Sequence, residues 1–124
     1  MVGGTDGGEA RQPALDPEDL TRFFVSRANA GDVEGLVALY EPDAVLAGPE
    51  GRILVGTEAI RGFYAELLAD RPRFEPGEQR PALRRGDLAL TSSRLTDSTV
   101  TAEVARRQDD GTWLWAVDQP VIAR

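Results

Sequence analysis

The chain has no cysteine, no histidine and no lysine. Without cysteine there is no disulfide, no thiolate nucleophile and no sulfur metal site, and nothing argues for an oxidising compartment, so a cytoplasmic location is the expectation. Without histidine the commonest general base and the commonest metal ligand are missing. Without lysine there is no Schiff-base chemistry. Acid–base work must fall to carboxylates, tyrosine, arginine or water. No apolar run approaches the ~20 residues needed to span a bilayer. With 21 acidic residues against 14 basic ones the net charge is −7, which repels nucleic acid.

A chain of 124 residues suits one domain, and 41% hydrophobic with 28% charged residues is an ordinary globular balance. The Gly-rich stretch Met1 to Leu15 lacks an apolar signal-peptide core and reads as a disordered tail, leaving one domain over residues 16–122. Asp16-Pro17-Glu18-Asp19 is a helix start, with Asp16 as N-cap and acids in the first turn. Leu20, Phe23, Phe24 and Ala28 follow at helical spacing, and Gly31 ends the run. Asp32 caps a second helix striped by Val33, Leu36, Val37 and Tyr40 and stopped by Pro42. Ala44–Ala47 and Arg52–Val55 read as strands around a Gly-Pro-Glu-Gly turn. Thr57 then caps a third helix with Ile60, Phe63, Tyr64, Leu67 and Leu68 on one face. Strands are predicted near 74–83, 88–95, 99–107 and 112–117, with turns at Arg85-Gly86-Asp87 and Asp109-Asp110-Gly111. Helices followed by a meander of strands is an α+β pattern.

Several of these words occur together: Asn29-Ala30-Gly31-Asp32, Leu39-Tyr40-Glu41-Pro42-Asp43-Ala44-Val45, Gly56-Thr57-Glu58-Ala59-Ile60-Arg61-Gly62-Phe63-Tyr64 and Asp110-Gly111-Thr112-Trp113. In that order the chain resembles the SnoaL-like and ketosteroid isomerase-like branch of the nuclear transport factor 2-like superfamily. The resemblance implies an α+β cone with three N-terminal helices on a curved antiparallel sheet, an apolar pocket at its open end, and a homodimer formed through the convex sheet face. It implies a small apolar organic ligand, for example a polyketide or terpenoid intermediate, and no cofactor; no metal is expected either, since no short spacing of acidic residues resembles a calcium loop. Carried over residue by residue, the isomerases' oxyanion tyrosine falls on Phe24 and their general base on Gly48. Their second oxyanion donor falls on Glu103 and their supporting tyrosines on Tyr40 and Tyr64. Phe cannot donate to an oxyanion and Gly cannot move a proton, so that mechanism is excluded.

The final hairpin gives a local prediction. If Asp110-Gly111 is a two-residue turn, Glu103 faces Asp118, Ala105 faces Ala116 and Arg107 faces Leu114 on one side of the sheet. Val104, Arg106 and Gln108 then face Val117, Trp115 and Trp113 on the other side. Asp118 and Glu103 are thus the candidate catalytic pair, since one raised carboxyl beside an ionised one suits neutral acid–base chemistry. The competing reading leaves both at a wet rim, bridged by Arg94 or Arg107. Phe24, Tyr40, Tyr64, Leu90 and Ala116 are the expected ligand contacts. Trp113 and Trp115, with Arg106 stacked on Trp115, are the expected dimer contact. Glu66, Asp70, Glu75 and Glu78 read as solvated surface. A non-catalytic, homodimeric ligand-binding or protein-interaction domain is the alternative to an enzyme.

Overall fold

The computed structural model describes residues 11–123. Three helices occur among them: α1 (Asp19–Asn29), α2 (Val33–Val37) and α3 (Thr57–Leu68). The strands are β1 (Tyr40–Ala47), β2 (Ile53–Val55), β3 (Glu78–Gln79), β4 (Leu83–Arg85), β5 (Leu88–Thr91), β6 (Ser93–Arg94), β7 (Val100–Arg107) and β8 (Trp113–Ala123). The fold is α+β, but β1 and β2 intervene before α3, so the helices are not one N-terminal block.

Gly31 closes α1 at φ +70°, letting Gly31 and Asp32 donate to the carbonyls of Ala28 and Arg27. The Asp32 side chain then caps α2 by accepting from the Gly35 N–H at 3.0 Å. A Cβ on Gly35 would lie 2.2 Å from the Asp32 carboxylate, so glycine is what lets the cap close. Gly56, at φ +90°, takes the cap position of α3 that the sequence assigns to Thr57. The Thr57 hydroxyl turns instead to the Pro42 carbonyl. Leu20, Leu36 and Ile60 are wholly buried where the helices meet the sheet, each stabilising by roughly 1.5–3 kcal/mol.

The sheet runs β2-β1-β8-β7-β5-β4, with β6 also on β7 and β3 on β6. It is mixed rather than antiparallel throughout, because β1 lies parallel to β8. Tyr40 opens β1 instead of closing the second helix, which stops at Val37. The predicted strand over 74–83 survives only as β3 and β4. Of the predicted tail, residues 1–10 lie outside the described residues. Within residues 11–15, Ala14 is buried, its carbonyl accepts from the Trp113 N–H, and Arg11 pairs with Asp32, while Gln12, Pro13 and Leu15 are exposed.

The last hairpin departs from its predicted register twice. Arg107 pairs with Trp113, so residues 108–112 form a loop closed by the Gln108 N–H on the Thr112 carbonyl. That slip carries Trp113 and Trp115 to the helix side of the sheet. A bulge between the Ala105–Trp115 and Val104–Val117 pairs leaves Ala116 as the extra residue. The bulge reverses the slip, and Glu103 pairs with Asp118. Both tryptophans are therefore core residues at 3% exposure, not an outer contact surface. Arg106 pairs with Glu41 rather than stacking on Trp115, and it is Arg84 that lies over the Trp113 ring.

Candidate active site

On the helix side of the sheet is a cavity of about 230 Å³. Phe24 and Val25 of α1 and Tyr64 and Leu67 of α3 roof it. Phe74 and Gly77 close one side. Its floor is the inner face of the sheet: Ser93, Thr101, Glu103, Trp115, Asp118 and Pro120. The roof is fixed by packing. The Phe24 ring meets Tyr64, Phe74 and Trp115 at centroid distances of 5.9, 5.8 and 6.3 Å. Asn29 clamps Phe74 through both backbone groups, at 2.9 and 2.8 Å.

Two carboxyls sit side by side in this floor. Glu103 and Asp118 are direct cross-strand partners, each 6% exposed, so the wet-rim reading does not hold. Neither predicted bridge reaches them: Arg107 is paired with Asp87, and Arg94 is on the exposed side of β6. Their surroundings differ. Glu103 Oε1 accepts the Thr91 hydroxyl at 2.6 Å, and the Thr101 hydroxyl supports it as well. Thr101 Oγ1 also accepts the Ser93 N–H at 3.0 Å, which frees its own hydrogen for Glu103. Asp118 Oδ2 accepts the Tyr40 hydroxyl at 2.5 Å. A phenol has one hydrogen, so Tyr64, 2.7 Å from the Tyr40 oxygen, donates to it. The order is Tyr64 to Tyr40 to Asp118.

Burial pushes Asp118 up to about 7, the neighbouring Glu103 charge adds to this, and the Tyr40 bond opposes it. Burial also raises Glu103, against the two threonine hydroxyls. Burial and the Asp118 charge push Tyr40 and Tyr64 well above their ordinary value, so both stay protonated donors. Two adjacent buried carboxyls cannot both ionise cheaply. The pair keeps one proton until about 7, and its titration belongs to the pair.

Of the residues named from sequence, the fold brings together Asp118, Glu103, Phe24, Tyr40 and Tyr64, with Tyr40 behind Asp118 rather than in the cavity wall. Leu90 does not join them. It is 45% exposed, points to the opposite face of β5 and lines a surface depression with Arg80, Pro81 and Leu83. Alternation along β5 buries Ala89 and Thr91 and turns Leu88 and Leu90 outward. Ala116 is buried at the bulge and does not line the cavity. Sequence reasoning missed Thr91, Thr101, Ser93 and Trp115 as cavity or carboxylate partners. The only signal for the threonines was their even spacing from Glu103 along and across the strands. Among the described residues no group of three acidic side chains is placed to hold a metal ion, and no helix is long and apolar enough to cross a membrane.

The SnoaL-like domain family matches residues 20–124. The chain is 32% identical over 92 residues to the epoxide hydrolase LasB of Streptomyces lasalocidi, covering 73% of this chain but only 32% of that protein's length. Among solved structures it is similar to a ketosteroid isomerase-like protein from Erwinia carotovora atroseptica. The TM-score there is 0.63 at 20% identity, covering 86% of this chain and 94% of the other. It is also similar to an NTF-2 like protein from Shewanella oneidensis MR-1, with TM-score 0.66 at 16% identity, covering 82% and 92%. At such identities the two structures speak for the fold alone.

Proposed function

Because the chain belongs to the SnoaL-like domain family, its cavity invites a catalytic reading, and we propose that it is a cofactor-independent acid–base enzyme of isomerase or cyclase type. Its substrate is a small apolar organic molecule. The observation that carries this is the cross-strand pair Glu103–Asp118, buried in the floor of an apolar cavity with unequal donors on its two members.

The donors assign the roles. Glu103, with two hydroxyls turned on it, is the member that ionises first and acts as base. Asp118 keeps the proton and acts as acid. Its Oδ2 is engaged by Tyr40, so the proton is on Oδ1. In a turnover, Asp118 gives that proton to a substrate oxygen as its C–O bond breaks, and Glu103 takes one from the attacking hydroxyl. The Tyr64–Tyr40 relay stabilises the Asp118 carboxylate so formed. The proton gained by Glu103 returns to Asp118 across the pair, restoring the starting state. Opening of a strained cyclic ether by a hydroxyl of the same molecule, or by water, fits this exchange, and the name of the LasB relative favours it. Steroid-type isomerisation does not fit, with Phe24 and Gly48 at the positions of the required tyrosine and base.

The test is a panel of small epoxides and hydroxy-epoxides followed by chiral gas chromatography. Opening by the wild type that is lost in both Asp118→Asn and Glu103→Gln, each still folded, supports the reading. Turnover unchanged in either variant removes it.

The outer face of the sheet supports a homodimer. Leu83, Leu88, Leu90 and Val117 are all exposed there, at 69, 43, 45 and 45%, and apolar side chains grouped on one face are what a protein contact buries. These residues replace Trp113 and Trp115 as the proposed contact. The alternative of a dimeric binding domain without chemistry keeps this face and the cavity. It predicts ligand affinity that is indifferent to both carboxylate substitutions.

A further inference from the structure

Arg27 of α1 carries a buried positive charge. The residue is 9% exposed, and its guanidinium donates to two backbone carbonyls, Gly35 and Gln12, each at 2.9 Å. Among the described residues no carboxylate forms an ion pair with it. Asp32, the acid that acts on it at a distance, is already taken. Both Asp32 oxygens accept from Arg11, at 3.1 and 2.6 Å, and one also caps Gly35. Burial lowers the Arg27 pKa, Asp32 raises it, and Arg11 lowers it again. Buried charges are ordinarily paired. An arginine has five N–H hydrogens to place, and the two carbonyls use two.

Two more arginines join it. The guanidinium carbons of Arg22 and Arg27 lie 4.7 and 5.0 Å from the centroid of the Phe23 ring, so one ring holds two cations in place. With Arg11 they line a surface depression of about 480 Å³, where the Ser26 hydroxyl is a further donor. Asp32 is the one acid among its described lining residues. Three guanidiniums against one carboxylate leave +2 there, on a chain whose net charge is −7. Guanidinium forks match oxyanions through paired hydrogen bonds. The Arg22–Asp19 contact is exposed on the arginine side and worth little, so Arg22 exchanges it for a ligand at small cost. The depression is distinct from the acid–base cavity. Thr21, Phe24 and Val25 of α1 line the cavity, while Arg22, Phe23 and Ser26 line the depression. At 3.6 residues per turn these sets lie on opposite faces of the helix.

We propose that this depression is an anion site whose ligand carries a dianionic phosphate group, held by Arg11, Arg22, Arg27 and the Ser26 hydroxyl. Two negative charges answer the +2 of the lining, which a carboxylate answers only by half. At roughly 30 Å³ for each water-sized group, the depression has room for more than a bare ion, and so for the organic part of a phosphate monoester. The site stands on α1 and the residues before it, independently of the acid–base reading.

The probes are inorganic phosphate, phenyl phosphate and benzoate, titrated into the full chain by calorimetry with sodium chloride holding the ionic strength constant. Backbone amide shifts by NMR locate each ligand. Phenyl phosphate should saturate one site and bind about tenfold more tightly than benzoate, as one added charge-assisted hydrogen bond implies. Its affinity should fall below pH about 6, where a phosphate monoester loses its second charge. The amide shifts should centre on Arg22, Ser26, Arg27 and Asp32. Arg22→Gln should weaken binding about tenfold, and Arg27→Gln by more. Arg22 is exposed, so its variant keeps the test open if the Arg27 variant does not fold. Inorganic phosphate binding as tightly as phenyl phosphate upholds the site with the free ion as ligand. Weaker binding of the free ion upholds it with a monoester as ligand. No saturation by either phosphate, equal affinity for benzoate, shifts centred on Thr101 and Trp115 in the cavity, or affinity unchanged in Arg22→Gln overturns it.

Discussion

The two faces of the β7–β8 hairpin invert the usual distribution. The face against the helices buries Thr101, Glu103 and Asp118, while the face away from them exposes Val117 and Val121. Ordinarily the polar set would be outside and the aliphatic set inside. A buried carboxyl pair lowers stability unless it is hydrogen-bonded, and here each member has hydroxyl donors. An exposed aliphatic row invites a partner. One hairpin thus separates the candidate site from the exposed apolar face proposed for association, because side chains alternate along each strand.

The most damaging way to test the inner face is to remove its charge logic. Asp118→Asn or Glu103→Gln should lower turnover by about 10²- to 10⁴-fold, measured on the most reactive epoxide of the panel, while circular dichroism stays native. A smaller effect should appear in stability. Asp118 is raised from 3.8 to about 7, so between those values the native protein binds a proton that the unfolded chain has released. Stability therefore falls as pH rises through that window, and the full penalty is present above about 7. Asp118→Asn keeps the Tyr40 bond without the buried charge. Its denaturation midpoint should be nearly flat across the window and exceed wild type at alkaline pH by on the order of 1–4 kcal/mol. A variant less stable than wild type at alkaline pH would count against the buried, raised carboxyl.

Thr91→Val sharpens the contrast between the two acids. It removes the 2.6 Å donor of Glu103 at constant shape, and should cost about 1–3 kcal/mol. It should also move the Glu103 carboxyl titration upward by carbon NMR, with Tyr40→Phe doing the same to Asp118. On the outer face, Leu90→Glu with Val117→Glu should turn a dimer into a monomer by light scattering and change the monomer's unfolding free energy by less than about 0.5 kcal/mol. The smallest effect belongs to the rim, where both members of the Arg107–Asp87 pair are largely exposed. Arg107→Ala should stay within about 1 kcal/mol of wild type in urea melts.

Much of this was legible in the chain. The Leu20–Phe23–Ala28 and Ile60–Tyr64–Leu68 stripes, the Gly31 stop and the Asp32 cap are local signals, and local hydrogen-bonding rules decide them. The absence of histidine, cysteine and lysine already confined any acid–base chemistry to carboxyls, tyrosine, arginine or water. The meeting of Glu103 with Asp118 was also read from alternation, yet through a turn that does not form. A loop that shifts the register and a bulge at Ala116 that shifts it back cancel from the Val104–Val117 pair onward, so the predicted partners meet at Glu103–Asp118 but not between the bulge and the turn.

What tertiary structure alone decided is which way each strand residue faces. A slip of one residue sends a whole strand's side chains through the sheet, and it put Trp113 and Trp115 inside. Leu90 faces outward because β5 pairs with β7 in the register that buries Thr91 against Glu103. Tyr40 reaches Asp118 because β1 runs parallel to β8, a pairing between residues 78 apart that no local pattern encodes. Sequence settled the elements and the available chemistry, whose causes lie within a few residues of each other. The sides, the partners and the cavity came from pairings over long separations.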